Sequence, residues 1–119
     1  MDSKCPVYST LDFIGKRWTL LIMAELYRDG GGWKRYSRVK AGLAGITPKI
    51  LSMRLKELEK DGYIGKRIDA TGFPIKSEYS LTEKGTGFIA IVESIRKWAI
   101  RNRVGAQHCS RKDCSVCNL

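Results

Sequence analysis

Apolar residues near the start of the chain are spaced as in helices. Between positions 9 and 27 they fall three or four residues apart, at Leu11, Ile14, Trp18, Leu21, Ile22 and Leu26. Such spacing is typical of helices that bury one face. Gly15 lies within the run, so the pattern predicts a short helix and then a longer one. Asp29 and the glycines at 30–32 predict the end of the longer helix, because these residues tolerate positive φ angles.

The stretch after these glycines predicts a short strand and a short helix. The run WKRY at 33–36 favours the strand, and Ser37 is suited to cap a helix over residues 39–43. Gly45 marks the turn that follows this helix.

A helix over residues 47–61 has the clearest boundaries in the sequence. Thr47 is a good N-cap, Pro48 fits the first helical position, where its missing N–H costs nothing, and Gly62 closes the helix. At about 100° per residue, one side of this helix collects Ile50, Leu51, Leu55 and Leu58. The opposite side collects Lys49, Met53, Lys56 and Lys60, with Ser52 flanking them.

Two strands follow this helix. Residues 63–69 and 76–81 alternate apolar and polar positions as strands do. Residues 70–75, ATGFPI, join them and contain the turn residues Gly72 and Pro74. The pattern therefore predicts an antiparallel hairpin.

A last helix is predicted from Thr82 and Glu83 to about residue 103, with an apolar stripe of Phe88, Ile91, Val92, Ile95 and Trp98. Two consecutive short helices followed by a hairpin form a winged helix-turn-helix. We therefore predict a mainly α fold with a small antiparallel β wing (α+β). Residues 1–104 would form a DNA-binding domain with dimerisation helices, and residues 105–119 a cysteine-rich tail.

The charge of the chain indicates a polyanionic partner. Twenty-two Lys and Arg residues stand against twelve Asp and Glu residues, which gives a net charge of +10 among 119 residues. Such an excess favours binding to phosphates, although charge can also serve solubility alone. No apolar run approaches the ~20 residues of a membrane span, and the N-terminus lacks the apolar core of a signal peptide. We therefore expect a cytoplasmic protein with reduced thiols and no membrane partner.

The helix over residues 47–61 has the features of a recognition helix for double-stranded DNA. Its apolar side would hold the domain together while short polar and basic side chains enter the major groove. Basic residues on the hairpin could contact phosphates beside the groove. The predicted contacts are Arg38, Thr47, Pro48, Lys49, Ser52, Met53, Lys56, Lys66, Arg67 and Lys76. The alternative is an ordinary amphipathic helix with a solvated lysine face.

Four runs, in order, resemble the HxlR-type winged-helix transcriptional regulators. They are CPV at 5–7, IGKRWTLLIMAEL at 14–26, GITPKILSMRLKELEKDGYI at 45–64 and EYSLTEKG at 78–85. The resemblance implies a homodimeric, MarR-like DNA-binding repressor or activator, with its dimer interface formed mainly by the first and last helices. One departure is the run WKRYSRVKAGLAG, where Lys34, Arg35, Arg38 and Lys40 are more basic than in the family and suggest extra phosphate contacts.

The last helix independently favours a homodimer, because its apolar stripe offers more surface than one small domain needs to cover. Across a two-fold axis it would pack against the first helices of the partner. The predicted interface is Leu11, Ile14, Trp18, Phe88, Ile91, Ile95 and Trp98. The alternative is that the stripe packs on its own domain.

Cys5 occupies the CP position of the family. The resemblance implies that this thiol is the reactive group of oxidant-sensing members and can form a disulfide with a cysteine of the partner subunit. The adjacent Lys4 favours the thiolate, which is the reactive form. The alternative is an inert cysteine at the edge of the domain.

The tail holds three cysteines and the only histidine of the chain, His108, Cys109, Cys114 and Cys117. The spacing C-x4-C-x2-C matches a plant-type [2Fe–2S] loop, for which Cys5 could supply a fourth ligand. The set also matches a Cys3His zinc site, although adjacent His and Cys ligands would strain its geometry. Disulfides within the tail or to Cys5, and an inert tail, are the other possibilities.

Catalysis has no support in the first hundred residues. No histidine precedes position 108, and the sequence has no nucleophile motif or phosphate-binding glycine loop. We therefore predict a sequence-specific transcriptional regulator and not an enzyme. Two alternatives belong to other classes: a small metal or Fe–S electron carrier built on the tail, and a non-specific nucleic-acid binder.

Overall fold

Five α-helices and three short strands lie along residues 4–105, the part of the chain that the computed structural model describes. They are α1 (Pro6–Ile14), α2 (Thr19–Tyr27), β1 (Lys34–Arg35), α3 (Tyr36–Ala41), α4 (Pro48–Lys60), β2 (Ile64–Asp69), β3 (Lys76–Leu81) and α5 (Glu83–Arg101). A turn of 3₁₀ helix at Arg28–Gly30 follows α2. The predicted order of elements and the α+β class are confirmed.

The three strands form one antiparallel sheet in the order β1-β3-β2. Strands β2 and β3 pair along their full length, from Ile64 opposite Leu81 to Asp69 opposite Lys76. Strand β1 adds two residues to the other edge of β3, with Lys34 opposite Tyr79. We call β2, β3 and the connecting residues 70–75 the wing.

Helix α2 lies at the centre of the domain and is buried over most of its surface. It contacts α1, α3, α5 and the sheet. The core combines α2 with the apolar sides of α4, the wing and α5, through Ile22, Met23, Leu26, Leu51, Leu55, Leu58, Ile64, Tyr79, Phe88 and Ile89. Because one core joins α4 to the wing, the two elements keep a fixed relation to each other.

The predicted cap of α4 is confirmed, and the structure adds a similar cap at the start of α5. The Ile50 N–H donates to Thr47 Oγ1 (3.2 Å), and Pro48 lies in the first turn of α4. The Gly85 N–H likewise donates to Thr82 Oγ1 (3.2 Å) at the start of α5. Each hydroxyl satisfies a backbone donor that has no partner within its own helix.

Two predicted boundaries are wrong. Helix α1 begins at Pro6 and not at residue 9, because Pro6 provides a favourable first position. Helix α3 begins at Tyr36, so Ser37 lies inside it and does not cap it; the chain turns directly after Arg35, which is still paired with Glu78. Helix α5 ends at Arg101, close to the predicted end at about residue 103.

The predicted break near Gly15 is confirmed, but the strained residue there is different. Gly15 follows α1 with an ordinary negative φ, whereas Trp18, directly before α2, has a φ of 79°. Its indole packs against the core. Side-chain packing therefore holds a tryptophan in a conformation that glycine adopts more easily.

Candidate nucleic-acid interface

Helix α4 divides into a buried side and an outward side, as predicted. Leu51, Leu55 and Leu58 are at most 2% exposed. The outward side is exposed along the helix and consists of Lys49, Ser52, Met53, Lys56 and Lys60. Thr47 and Pro48, at the start of the helix, are also exposed. The outward side chains contribute little to the core, so the fold leaves them available to a partner.

Tyr36 positions the outward side of α4, and sequence reasoning did not identify it. Its hydroxyl donates to the Pro48 carbonyl (3.3 Å) and lies 3.4 Å from the Ser52 hydroxyl. Tyr36 is the first residue of α3, so these contacts fix the angle between α3 and α4. The only sequence signal for this role was an aromatic residue sixteen positions before Ser52.

The flank of α4 is tied to the segment between α1 and α2. Arg54 donates from Nε to the Arg17 carbonyl (3.2 Å) and from Nη1 to both carboxylate oxygens of Glu57 (3.2 Å each). Lys16 Nζ lies 3.7 Å from Glu57 Oε2. Glu57 is therefore compensated by two cations, which reduces its repulsion of a phosphate beside α4.

The three predicted basic residues of the wing differ in their surroundings. Lys66 and Lys76 are exposed and form no ion pair within residues 4–105. Arg67 instead pairs with Glu78 (Nε–Oε1 2.9 Å), and its guanidinium lies over the Trp33 ring at 4.5 Å from the centroid. Among the basic residues of the wing, Lys66 and Lys76 therefore remain available to a partner.

Part of the basic run before α4 also makes contacts within the domain and is not available at the surface. Lys34, expected among extra phosphate contacts, is 3% exposed, and its Nζ donates to the Glu25 and Arg28 carbonyls, each at 2.6 Å. Burial lowers the pKa of Lys34, an effect that the nearby Glu25 carboxylate opposes. Lys34 thus fastens β1 to the end of α2 and is not a surface cation; that expectation was wrong.

Arg38 and Arg35 remain at the surface, but each lies near a carboxylate. Arg38 Nη2 is 3.4 Å from Asp29 Oδ2, with both side chains well exposed. Arg35 Nη2 is 3.9 Å from Asp69 Oδ2. Exposed pairs of this kind are weak, so a phosphate could displace the carboxylate from either arginine.

The predicted interface residues divide between the core and the surface. Phe88 is 6% exposed and lies in the core, where its ring meets Phe13 edge-on at 5.5 Å. Ile14 and Trp18 are partly buried against the same core. Leu11, Ile91, Ile95 and Trp98 are exposed, and Val7 on α1 joins them. The predicted set is therefore too broad, because the core needs Phe88.

Cys5 directly precedes Pro6, the first residue of α1, and its free thiol is partly exposed. The tail set His108, Cys109, Cys114 and Cys117 lies outside the described residues. Within residues 4–105 no group of three or more His, Cys, Asp or Glu side chains is arranged to hold a metal ion. In the same range no helix is both long and apolar enough to cross a bilayer.

Comparison with known proteins agrees with this geometry. The model of the HxlR-like helix-turn-helix family matches residues 13–106. The HTH-type transcriptional regulator YvaP of Bacillus subtilis (strain 168) is 40% identical over 96 residues, which cover 80% of this chain and 85% of YvaP. A crystal structure of a MarR-family regulator from Porphyromonas gingivalis W83 has a TM-score of 0.74 and 33% identity, covering 86% of this chain and 96% of that chain. The reduced form of the transcriptional regulator YodB from B. subtilis has a TM-score of 0.70 and 34% identity, covering 92% and 98%.

Proposed function

The chain belongs to the HxlR-like helix-turn-helix family of transcriptional regulators, and from this premise we propose that it binds a palindromic DNA operator sequence-specifically as a homodimer. The family consists of transcriptional regulators and not of enzymes. Helix α4 would enter the major groove, and α3 would hold it there.

The outward side of α4 carries this proposal. Lys49, Ser52 and Met53 lie in its first two turns, where a recognition helix contacts base edges. Lysine can bond to guanine, a serine hydroxyl can bond to several bases, and the methionine can meet a thymine methyl. The start of α4 adds the positive end of the helix dipole, which is favourable to a phosphate.

The wing supplies contacts that do not depend on sequence. Lys66 and Lys76 are exposed on its two strands and are joined to α4 through a common core. With α4 in the major groove, these lysines would reach backbone phosphates beside it. Each neutralised phosphate releases counterions and strengthens binding to any duplex. These two lysines therefore contribute affinity for any duplex, whereas the outward side of α4 contributes contacts to the bases.

The homodimer rests on an exposed apolar surface. Leu11 and Val7 are one helical turn apart on α1, and Ile91, Ile95 and Trp98 follow one stripe of α5. Exposed apolar side chains grouped along these two helices are typical of an interaction site. A two-fold axis through it would place two α4 helices about 34 Å apart, one turn of DNA.

Redox control through Cys5 is supported by its position. The thiol precedes α1, which carries part of the proposed dimer surface. YodB, a relative of 34% identity, has been solved in reduced and diamide-treated forms. A disulfide between Cys5 and a cysteine of the partner subunit would remove two protons and two electrons, which diamide accepts to become a hydrazine. It would also constrain the relation between the two subunits.

The test is a binding titration of the full chain on duplex DNA from its own upstream region, against a scrambled duplex of equal length. It is run reduced, after diamide and with a chelator. We expect a sequence-dependent excess in affinity that remains at moderate salt. Diamide should change this affinity in the wild type and not in Cys5→Ser. Equal affinity for both duplexes would support a non-specific binder instead.

A matched variant separates Cys5 from the tail. Replacing Cys109, Cys114 and Cys117 together by serine leaves Cys5 in place. If diamide still acts on this variant, Cys5 does not need the tail. A response that disappears would show that a tail cysteine is required, either as the disulfide partner of Cys5 or in its place, and the Cys5→Ser variant separates these two cases. A chelator that lowers affinity would indicate a metal at the tail.

A further inference from the structure

The tip of the wing exposes apolar side chains that the fold does not use. Phe73 is 98% exposed, and Ile75 and Ile68 are 63% and 56% exposed. None of the three belongs to the core. A phenylalanine ring ordinarily contributes a large buried area to a folded protein, so an uncovered ring at a loop tip indicates a contact with another molecule.

The tip is an ordered extension of a paired hairpin. Strands β2 and β3 remain paired up to Asp69 and Lys76. The Asp69 carboxylate accepts from the Thr71 N–H (3.1 Å) and from the Thr71 hydroxyl (2.6 Å). These bonds restrain the start of the loop that carries Phe73, which reduces the part of the loop that has to be ordered when the ring contacts a partner.

The surroundings of the tip are basic. Lys66 and Lys76 are exposed on the two strands that carry it, while the acidic Glu78 is paired with Arg67 and Asp69 lies close to Arg35. The partner must therefore present anions around an apolar interior. A DNA duplex has this composition, with phosphates flanking a stack of bases.

The tip adjoins the helix-turn-helix. A cleft of about 400 Å³ lies between the tip and the start of α3. It is lined by Arg35, Tyr36, Ser37, Pro74, Ile75, Lys76 and Ser77. Tyr36, in this cleft, also contacts Pro48 and Ser52 of α4. The apolar tip and the outward side of α4 are thus neighbouring parts of one surface.

Resting on the proposed DNA-binding function, we propose that Phe73 is a wedge that enters the minor groove beside the α4 site and inserts between two base pairs. Apolar wedges of this kind unstack one base step and bend the duplex. Pyrimidine–purine steps unstack most readily, so Phe73 would also select the sequence at a position that no side chain reads by hydrogen bonds. The wing then adds to specificity as well as to affinity.

The test measures bending and unstacking in one duplex. The probe is a duplex of about 40 base pairs carrying the sequence that the reduced full chain selects from a random pool. It has a fluorophore at each end and 2-aminopurine placed at successive steps beside the α4 site. The proteins are the wild type, Phe73→Ala, Phe73→Leu, which keeps an apolar wedge, and Val104→Ala, which removes an exposed apolar side chain beyond α5.

We expect the wild type and Val104→Ala to shorten the end-to-end distance and to raise 2-aminopurine fluorescence at one step. Phe73→Leu should keep most of both signals. Phe73→Ala should lose both and bind about five- to tenfold more weakly, while keeping its preference for the half-sites that α4 reads.

The contrary outcomes separate this proposal from the function on which it rests. If Phe73→Ala bends and unstacks the selected duplex as the wild type does, the wedge is overturned and the operator proposal stands. A random pool that yields no enriched sequence overturns both. A further experiment measures binding of the wild type and Phe73→Ala to vesicles with about 30% phosphatidylglycerol. If Phe73→Ala loses vesicle binding but bends DNA as the wild type does, the tip would be assigned to a membrane surface.

Discussion

At the scale of single residues, the structure separates cations that serve the fold from those offered to a partner. Lys34 and Arg67 carry the same formal charge as Lys49 and Lys66, yet the first two are engaged within the domain. Lys34 bonds buried carbonyls, and Arg67 pairs with Glu78. A count of basic residues therefore overstates the charge that DNA would meet.

Alanine substitutions should separate base reading from phosphate contact. Lys49→Ala and Ser52→Ala should reduce the affinity ratio between operator and scrambled duplex by about tenfold. Lys66→Ala and Lys76→Ala should weaken both duplexes by equal factors and lower the salt slope by about one each. Equilibrium titrations at several salt concentrations measure both quantities. If the two pairs of variants behave alike, the roles assigned to α4 and the wing are wrong.

A second residue-scale prediction concerns the wing turn. Hydrogen bonds from the Thr71 hydroxyl and N–H lower the pKa of Asp69, with Arg35 assisting. Because the folded pKa lies below the unfolded one, the stabilisation is present above about pH 3.9 and is lost as pH falls through the folded value. Carboxyl NMR should show this low pKa in the wild type and in Thr71→Ser. In Thr71→Val the pKa should move towards its usual value; an unchanged pKa would contradict the role of the hydroxyl.

At the scale of elements, apolar periodicity and end signals were sufficient to predict the fold. Thr47 and Pro48 predicted the start of α4 because capping is a local interaction. The site was only partly predictable, since Tyr36 reaches Ser52 through tertiary packing between α3 and α4. Phe88 shows the same limit: its spacing fits an outward stripe, but the stacked rings of Phe13 and Tyr63 enclose it.

Helix α5 offers a matched pair of glycines that tests how it packs. A Cβ added to Gly85 would collide with the Tyr63 carbonyl, whereas one added to Gly87 would meet nothing within 4 Å. Gly85→Ala should therefore lower the free energy of unfolding by about 1–3 kcal/mol. Gly87→Ala should raise it by about 0.5–1 kcal/mol, through helix propensity. Urea unfolding at equal protein concentration measures both, and equal effects would contradict the close packing of α5 on Tyr63.

At the scale of the whole molecule, the helix-turn-helix domain exposes an apolar side in addition to the outward side of α4. The exposed stripe of α5 and the neighbouring residues of α1 have no role in the core. Helix α4 packs into the core through the side opposite its outward residues, and the exposed stripe lies on α1 and α5. Dimerisation and DNA binding would therefore use different surfaces. Changes at the dimer surface could then alter the spacing of two α4 helices without touching the bases.

A charge in the stripe should separate the subunits. Ile95→Asp would place a carboxylate among apolar side chains across the two-fold axis, which is costly without a partner. Light scattering at micromolar concentration should give half the wild-type mass for this variant. Leu21→Asp, at an exposed position of α2, serves as the control and should keep the wild-type mass. A wild type that is already monomeric would remove the basis of the dimer.

The most direct test of the central claim is the sequence that the reduced full chain recovers from a random duplex pool. Two α4 helices related by a two-fold axis predict an inverted repeat, with half-site centres about 10 base pairs apart. Lys49→Ala should recover a repeat with a weaker base preference at the position that Lys49 contacts, since the substitution removes a proposed base contact. Recovery of an inverted repeat with this spacing is the predicted result. A pool without enrichment, or enrichment of a single unrepeated site, would contradict the account of a dimeric, sequence-specific regulator.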